Sequence, residues 1–231
     1  MSYKTELHCH SNPVSSCATV TPEQIVEEYT KAGYSTVVLT NHFSCYSFEP
    51  QRLYKGREAT WEDKVEYYMC GFNHLRRCAE GKLNVILGAE LRSNIDGNDY
   101  LIYGIEEKFL FENPDLMNID INYVAKRVHE VGALLVQAHP FRDGMRIKNP
   151  WPFDGVEVYN GHIWHDSRND LAYRWAEKYG KIKTSGSDYH DIRHVIGAGI
   201  ETDEPIKDSK QLVEILKSGN YSLIRTGAVV D

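Results

Sequence analysis

Residues 4–10, with the sequence KTELHCH, have the pattern of a short β-strand that ends in two histidines. Side chains alternate across a strand, so His8 and His10 are expected to lie on one side and Cys9 on the other. Two imidazoles in this arrangement can bind one cation if further ligands come from elsewhere in the fold. Because a His-x-His pair also arises by chance, its interpretation depends on the rest of the chain.

The composition is that of a soluble globular protein. The chain has 231 residues, of which 42% are hydrophobic and 26% charged, enough for a sizeable core and for a single α/β barrel. Its 26 basic and 33 acidic residues give a formal net charge of −7. This balance argues against a broad surface for nucleic acid or anionic membranes, although metal ions in a cleft could reverse the field locally.

Two further features bear on location and redox state. No basic-then-apolar signal segment opens the sequence and no apolar run has membrane-spanning length, so we expect a cytoplasmic protein that does not enter membranes. The five cysteines are odd in number and lack the spacing of a disulfide framework. Reduced thiols are therefore expected.

Strands and helices alternate along the chain. After the first strand, strands are predicted at residues 35–40, 84–89, 100–104, 133–138, 156–159, 181–185 and 221–225. Helices are predicted at residues 22–32, 61–80, 121–131, 168–179 and 209–217. The strands are continuous apolar runs, which predicts a parallel sheet covered on both faces by helices. No repeat, low-complexity tract or linker interrupts the pattern, so residues 1–231 are predicted to form one domain.

Several potential metal ligands share one feature, because each lies where a predicted strand gives way to a loop. These residues are His10, His42, Glu90, His139, Asp188 and His190. In a parallel α/β barrel such strand ends lie on one face, where barrel enzymes place their chemistry. Imidazole and carboxylate together suit zinc, manganese or iron rather than calcium. A carboxylate such as Glu90 could bridge two cations, an arrangement that serves phosphate-ester hydrolysis.

The order of these motifs resembles that of the polymerase and histidinol phosphatase (PHP) family. The matching segments are His8-x-His10, Thr40-Asn41-His42, Gly88-Ala89-Glu90, Ala138-His139-Pro140 and Ser187-Asp188-x-His190. They follow one another across nearly the whole chain, so the match is specific although each segment is short. The resemblance implies a single distorted (β/α)7 TIM-like barrel with two or three divalent ions (Zn, Mn or Fe) that hydrolyses phosphoesters.

The resemblance also implies how the ligands divide among three ions. The first ion would be held by His8, His10, Glu90 and Asp188. The second would share Glu90 and add His139 and Asp99. The third would be held by His42 and His190, with Cys17 as a further ligand from the loop after the first strand.

Three positions depart from the family pattern. Asn41 stands where the family often has aspartate, and we expect it to orient His42. Asp99 stands where histidine is frequent; it remains a competent ligand, although Asp-Gly-Asn-Asp is also common turn chemistry. Cys17 stands where aspartate or histidine is usual, and either a thiolate ligand favouring zinc or iron, or a small packed thiol, fits that position.

The implied mechanism is attack on phosphorus by a hydroxide that bridges the first two ions. Glu90 and Asp188 would be among the ligands of those ions. Arg142 is placed to bind the phosphoryl oxygens, and Arg92 is the other candidate. The proton for the leaving alkoxide would come from His190, His194 or a metal-bound water.

The remaining histidines and aromatic residues have plainer interpretations. His74 and His129 are expected on helix surfaces or in packing roles. His162 and His165 could line the substrate rim or simply decorate a loop. Tyr159, Tyr189 and Trp164 could stack on a substrate ring, but packing in the core or rim is the simpler prediction.

The leading functional hypothesis is a phosphomonoesterase, similar to histidinol phosphatase, that acts on a small phosphorylated metabolite. The alternatives are a PHP-type exonuclease or nucleotide phosphodiesterase, for which nucleic acid would be the substrate. An amidohydrolase is disfavoured because no lysine occupies a bridging strand-end position, and a non-catalytic metal-binding module would lack part of the ligand set. The substrate and the oligomeric state, a homo-oligomer among the options, stay open.

Overall fold

The computed structural model describes residues 2–49, 53 and 56–226. The strands in this part of the chain are β1 (Tyr3–Cys9), β2 (Tyr34–Leu39), β3 (His42–Phe43), β4 (Asn84–Arg92), β5 (Asp99–Tyr103), β6 (Leu134–Gln137), β7 (Gly155–Asn160), β8 (Ile182–Gly186), β9 (Ala198–Thr202) and β10 (Ser222–Arg225). The α-helices are α1 (Pro22–Lys31), α2 (Trp61–Cys78), α3 (Glu107–Glu112), α4 (Ile121–Glu130), α5 (Asn169–Lys178) and α6 (Ser209–Ser218), with a 3-10 turn at Leu116–Asn118. Within these residues, no helix combines the length and the apolar character needed to span a membrane.

The sheet curls into a nearly closed barrel. Its strands follow the order β10-β9-β1-β2-β4-β5-β6-β7-β8, with β3 paired to β4. Beyond β8, Tyr189 bridges Cys9 at the end of β1 in a parallel pairing. The N–H of His10 donates to the carbonyl of Tyr189 at 2.9 Å, which fastens the last strand to the first. The predicted TIM-like barrel is therefore confirmed, with β9 and β10 as an extension beside β1.

The sheet is not wholly parallel, and this corrects the sequence-based expectation. Strand β5 runs antiparallel to both β4 and β6, and β9 runs antiparallel to β1. The connection from β4 to β5 is a hairpin whose closing pair is Arg92 and Asp99. Six residues are too few for the crossover that a parallel neighbour requires. Consequently the start of β5, rather than its end, lies at the face that carries the strand-end ligands.

Helix boundaries agree closely with the sequence pattern where capping residues mark them. Thr21 caps α1 by accepting from the backbone of Gln24, whose side chain in turn bonds the Thr21 backbone, and Pro22 opens the helix. The short helix α3 lies in a segment for which the sequence predicted no helix. It buries only Phe109 and Leu110, and six residues give too few turns for a periodic pattern to be recognised.

The side chains inside the barrel change character along each strand. On β4, Ile86, Gly88 and Glu90 share one face because alternate residues point the same way. Ile86 packs in an aliphatic cluster with Leu101 and Val136. Two residues past Gly88, Glu90 is fully buried but charged. The barrel interior therefore has an apolar end and a charged end, and the charged end is the candidate site.

Candidate metal centre

Glu90 lies at the centre of the charged end and is surrounded by imidazoles. Its Oε1 is 3.3 Å from His8 Nε2 and 3.1 Å from His139 Nε2. Its Oε2 is 2.7 Å from His42 Nδ1 and 3.4 Å from His10 Nε2. The two oxygens thus face different pairs of histidines, which is the arrangement needed for a carboxylate that bridges two cations.

Asp188 completes the ligand set that was predicted for the first ion. Its Oδ1 is 3.4 Å from both His8 Nε2 and His10 Nε2. The ligand atoms of these three side chains all lie within 4.8 Å of one another. Asp188 reaches this position with a left-handed backbone, at φ 49°. The structure therefore brings together all four residues of the predicted first group, Glu90 included.

The residues predicted for the second ion are only partly assembled. His8, Glu90 and His139 form one close group. Asp99 Oδ2 is 4.0 Å from His139 Nε2, but its two oxygens accept from Arg92 Nη1 at 3.1 and 2.8 Å. Burial, followed by the charge of Glu90, raises the pKa of Asp99. Asp99 therefore lies at the edge of the centre and is held there by an arginine.

A third group forms from His10, His42 and His190, whose ligand atoms lie within 4.8 Å of one another. His42 Nε2 and His190 Nε2 are 3.3 Å apart, and the His10 and His190 rings stack with centroids at 4.0 Å. Cys17 lies beside this group. Burial alone would raise the pKa of Cys17, but hydrogen bonds with His190 and His42 lower it to about 6. A cysteine with this pKa is largely thiolate at neutral pH, the form that binds metal.

Unsatisfied polar atoms test whether divalent cations fit this donor set. His8 Nε2 and His10 Nε2 are buried and have no hydrogen-bond partner. Unpaired buried polar atoms are costly, so several at one point need a common partner. Burial, then the neighbouring His190 and His42, lowers the pKa of His10, which keeps it in the neutral form that binds metal. Nitrogen and oxygen donors converging on shared points fit zinc, manganese or iron.

Glu157 orients the centre and was not recognised from the sequence. Its Oε1 accepts from His8 Nδ1 at 2.8 Å, which directs Nε2 of the same ring toward Glu90. Its Oε2 accepts from the backbone N–H of His139 at 3.0 Å and from Asn160 Nδ2 at 3.0 Å. The available signal was an acidic residue inside the apolar run of β7, between Val156 and Val158.

Glu6 has a similar supporting role one layer further in. Its Oε1 accepts from the backbone N–H of His8 at 2.8 Å and of Ser187 at 2.9 Å, and its Oε2 accepts from the Tyr29 hydroxyl at 2.9 Å. These bonds tie the bulged end of β1 to the residue before Asp188. Burial raises the pKa of Glu6 to about 7.

Asn41 is connected to His42 through Ser15. Its Oδ1 accepts from the backbone N–H of Ser11 at 2.8 Å and from Ser15 Oγ at 2.9 Å. Ser15 Oγ in turn accepts from the backbone N–H of His42 at 3.0 Å and lies 3.1 Å from His10 Nδ1. Asn41 thus fixes the loop after β1, and the serine within that loop positions both histidines.

Arg142 lies among the ligands, as predicted for a phosphate-binding residue. Its Nη1 donates to Asp188 Oδ2 at 3.0 Å, and its Nη2 faces His139 Nε2 at 2.9 Å. An ion bound by His139 would compete with Arg142 for that lone pair. Arg142 and Arg92 both line the adjacent cleft.

The cleft above the ligands has a volume of about 420 Å3. Besides the ligands and arginines, it is lined by Tyr46, His162, Trp164 and His165. Burial is the main cause that lowers the pKa of His162 to about 3, so this ring is neutral. His162 and His165 therefore line the rim, one of the two roles considered for them.

Of the other residues with open roles, His194 lies next to the candidate ligands, in a group with His162 and His190 whose ligand atoms are within 4.8 Å of one another, whereas Tyr189 and His129 lie elsewhere. His194 Nδ1 accepts from the backbone N–H of His190 at 3.2 Å, and its ring packs on Trp164 with centroids 4.4 Å apart. Tyr189 is buried against Tyr29 in the core. His129 pairs with Asp154 on the surface of α4 at 2.9 Å.

Comparisons with known proteins agree with this geometry. A family model described as PHP-associated matches residues 166–221, which span α5, β8, β9 and α6. No protein in the curated set matches the chain.

Solved structures match over almost the full chain at low sequence identity. A two-domain protein from Bacteroides vulgatus, inferred to contain a PHP-like metal-dependent phosphoesterase, superposes with a TM-score of 0.70 at 18% identity, covering 97% of this chain and 65% of its own. This chain thus spans less than two thirds of that relative. A protein from Bifidobacterium adolescentis, inferred to be a metal-dependent phosphoesterase, has a TM-score of 0.58 at 16% identity, covering 99% of this chain and 98% of its own.

A third neighbour carries a different name. An amidohydrolase from Chromobacterium violaceum, with bound sulfate and no metal, has a TM-score of 0.57 at 13% identity, covering 96% of this chain and 98% of its own. Likeness at this level concerns the fold. The PHP-associated match is limited to residues 166–221 and the neighbours share the fold, and both are consistent with the resemblance to the PHP family that the sequence motifs carry.

Proposed function

We propose that this protein is a metal-dependent phosphoesterase that releases phosphate from a small phosphorylated metabolite, in the manner of a histidinol phosphatase. The observation that carries the proposal is the Glu90 carboxylate, which lies within 3.4 Å of four imidazoles. The buried Nε2 atoms of His8 and His10, which have no hydrogen-bond partner, lie beside it. A buried carboxylate in this setting is stabilised by cations, and it has no evident purely structural use.

The residues of the chain have distinct tasks in this proposal. Bound zinc, manganese or iron would lower the pKa of a water molecule and offset negative charge on the phosphoryl group. Glu157 holds the His8 ring in the orientation that ligation needs. The Arg142 guanidinium, 16% exposed at the cleft floor, offers planar donors that match phosphoryl oxygens. Arg92, held by Asp99, adds a second positive charge to the same cleft.

The cleft supports a small anionic substrate rather than a polynucleotide. Its volume of about 420 Å3 is in the range of a metabolite-sized ligand. Nucleic-acid binding normally requires a basic strip with aromatic stacking residues along it. The chain instead has a net charge of −7.

Phosphate release across a substrate panel tests the proposal. The protein is loaded with Mn2+ or Zn2+ in turn and given sugar phosphates, nucleoside monophosphates and histidinol phosphate. Parallel reactions contain a phosphodiester, single-stranded DNA and N-acyl amino acids. We expect metal-dependent release of phosphate from at least one monoester, abolished in Glu90→Ala and retained in Glu130→Ala, which removes an exposed acid on α4.

Other outcomes would overturn the proposal. Cleavage of single-stranded DNA or the diester without monoester hydrolysis would favour the nuclease alternative. Hydrolysis of an N-acyl amino acid alone would favour an amidohydrolase, the activity named for the Chromobacterium violaceum neighbour. The described residues that line the cleft include two arginines but no lysine, and Glu90 takes the bridging position that a lysine occupies in many amidohydrolases.

A further inference from the structure

A second group of metal-binding side chains lies outside the barrel, where α1 packs beside α2. His74 and Cys78 are four residues apart on α2, so they lie one turn apart on the same face. Glu23, in the first turn of α1, faces them. Its Oε1 is 2.9 Å from His74 Nε2 and 3.5 Å from Cys78 Sγ. The three ligand atoms all lie within 4.8 Å of one another.

We infer that Glu23, His74 and Cys78 form a second, separate cation site that binds Zn2+. In a tetrahedral zinc site the ligand atoms are about 3.3–3.6 Å apart, given typical metal–ligand distances. The observed separations of 2.9 and 3.5 Å need only small side-chain adjustments to reach that geometry. Glu27, one turn after Glu23, lines the same surface groove as Cys78 and can supply the fourth donor.

Each of the two helices therefore offers a pair of donors spaced by one turn. Such facing pairs are how helical proteins build metal sites between helices. The hydrogen bonds already present among the three side chains hold Glu23, His74 and Cys78 within reach of one another, so binding orders little additional structure. A metal bridge here joins α1 to α2 far from the cleft residues.

The donor chemistry selects zinc over the hard cations. Thiolate and imidazole are ligands of zinc and related transition metals, whereas magnesium and calcium prefer oxygen. Burial, then the hydrogen bond to Glu23, raises the pKa of Cys78. The Cys78 thiol donates to Glu23 Oε1 at 3.5 Å. Binding forms the metal–sulfur bond and releases the thiol proton to solvent.

The site is independent of the metal centre in the barrel. None of its residues lines the cleft or contacts Glu90 in the described part of the chain. We therefore expect an ion at this site to raise the thermal stability of the α1–α2 packing, because it binds only the folded chain. Phosphoester hydrolysis should not depend on it.

Cobalt titration provides the test, because a thiolate bound to Co2+ gives a charge-transfer absorption that oxygen and nitrogen ligands do not. Full-length protein is stripped with a chelator and titrated in a Cys17→Ser background, which removes the thiol near the barrel centre. We expect the band to appear in this background and to be lost in Cys78→Ser. In His74→Ala, the apparent affinity for Co2+ should fall at least tenfold.

Cys70 supplies the matched control. It lies four residues before His74 on the same helix and is exposed, but it is outside the group of ligands. The Cys70→Ser variant should keep the band and bind the same amount of zinc as the background protein. Cys78→Ser should bind one zinc ion fewer per chain, and zinc should no longer raise its melting temperature.

A background protein without the band, or a band that persists in Cys78→Ser, overturns the inference. The readouts involve no phosphatase assay, so they stand whether or not the proposed activity is found. Conversely, loss of phosphoester hydrolysis in Glu90→Ala with an intact cobalt band would leave this site in place. Glu23→Gln keeps a hydrogen-bond acceptor but loses the carboxylate. We expect this variant to stay folded and to bind Co2+ more weakly, which separates a loss of ligation from a loss of folding.

Discussion

The two ends of the barrel interior are built on the same strands and differ in what they bury. Near the start of β4, Ile86 packs against other aliphatic side chains such as Leu101 and Val136. Four residues later on the same face, Glu90 is equally buried but is surrounded by four imidazoles. The backbone geometry of the strand is continuous between them, so the difference lies in side-chain chemistry alone.

This difference separates stability from function within one core. Apolar burial stabilises a fold in proportion to the area removed from water, and it needs no partner of defined geometry. Buried charges are costly unless they are paired, so the charged end is tolerated only with well-placed partners or bound cations. Substitutions at the apolar end should therefore change unfolding, and those at the charged end should change metal binding.

The largest effect is expected from Glu90→Ala at the charged end. Loss of the bridging carboxylate should release bound metal and lower the phosphoester hydrolysis rate by about 10³-fold or more, because no other group can replace both oxygens. Elemental analysis measures the bound metal, and initial rates measure phosphoester hydrolysis. Full metal content and full turnover in the variant would contradict the bridging role.

Ile86→Ala is the matched substitution at the apolar end, on the same strand and face as Glu90 but paired with Val38. Ile86 is buried, so truncation should reduce the free energy of unfolding by about 2–5 kcal/mol through lost burial and a cavity. Urea unfolding measures the loss. Metal content of the folded variant should stay unchanged, and a large drop in metal binding would show that the two ends are not separable.

Glu6→Gln probes a charge that supports the centre. Burial raises the Glu6 pKa from 4.5 to about 7 in the folded chain. As pH rises from 4.5 to 7, the unfolded chain loses this proton first, so ionisation favours unfolding over that range. The stability of the metal-free protein should fall across this window by about 3 kcal/mol relative to Glu6→Gln.

Urea unfolding at pH 4.5, 6 and 8, in the presence of a chelator, measures the difference between the two proteins. Relative to Glu6→Gln, the free energy of unfolding should fall from pH 4.5 to pH 8 and then stay constant at higher pH. A difference that does not vary with pH would mean that Glu6 titrates normally in the folded chain.

Glu157→Gln should have the smallest of these effects. The amide oxygen can still accept from His8 Nδ1, but it no longer strengthens the basicity of the ring, and the NH2 group then faces the two donors that Glu157 Oε2 accepts from. Metal affinity should fall by about 10–100-fold. Competition with a chromogenic chelator measures the affinity. An unchanged affinity would show that the orientation of His8 comes from packing alone.

Much of the centre was accessible from the sequence because its ligands sit at strand ends. His10, His42 and His139 each follow a recognisable apolar run. The local sequence pattern was therefore enough to predict that these residues lie on one face of the barrel. The prediction of Asp99 as a ligand had less support in the sequence, because Asp99 lies at the start of an antiparallel strand. Its pairing with Arg92 depends on the register of the β4–β5 hairpin, which the pattern does not specify.

The supporting residues were missed for a different reason. Glu157 lies 149 positions from His8 in the chain, and their 2.8 Å contact exists only after the barrel closes. The route from Asn41 to His42 also required the structure, since it passes through Ser15 in the loop after β1.

The sequence by itself determined the types and order of the metal ligands and the alternation of strands and helices. These properties are local, because the periodicity of a strand or helix, and the position where a strand ends, depend on only a few neighbouring residues. Only the tertiary structure decided the reversed direction of β5, the orientation of the histidine rings, and the contacts of Glu23 with His74 and Cys78. Those features depend on register and on contacts between distant segments, which are fixed when the barrel closes and its helices pack.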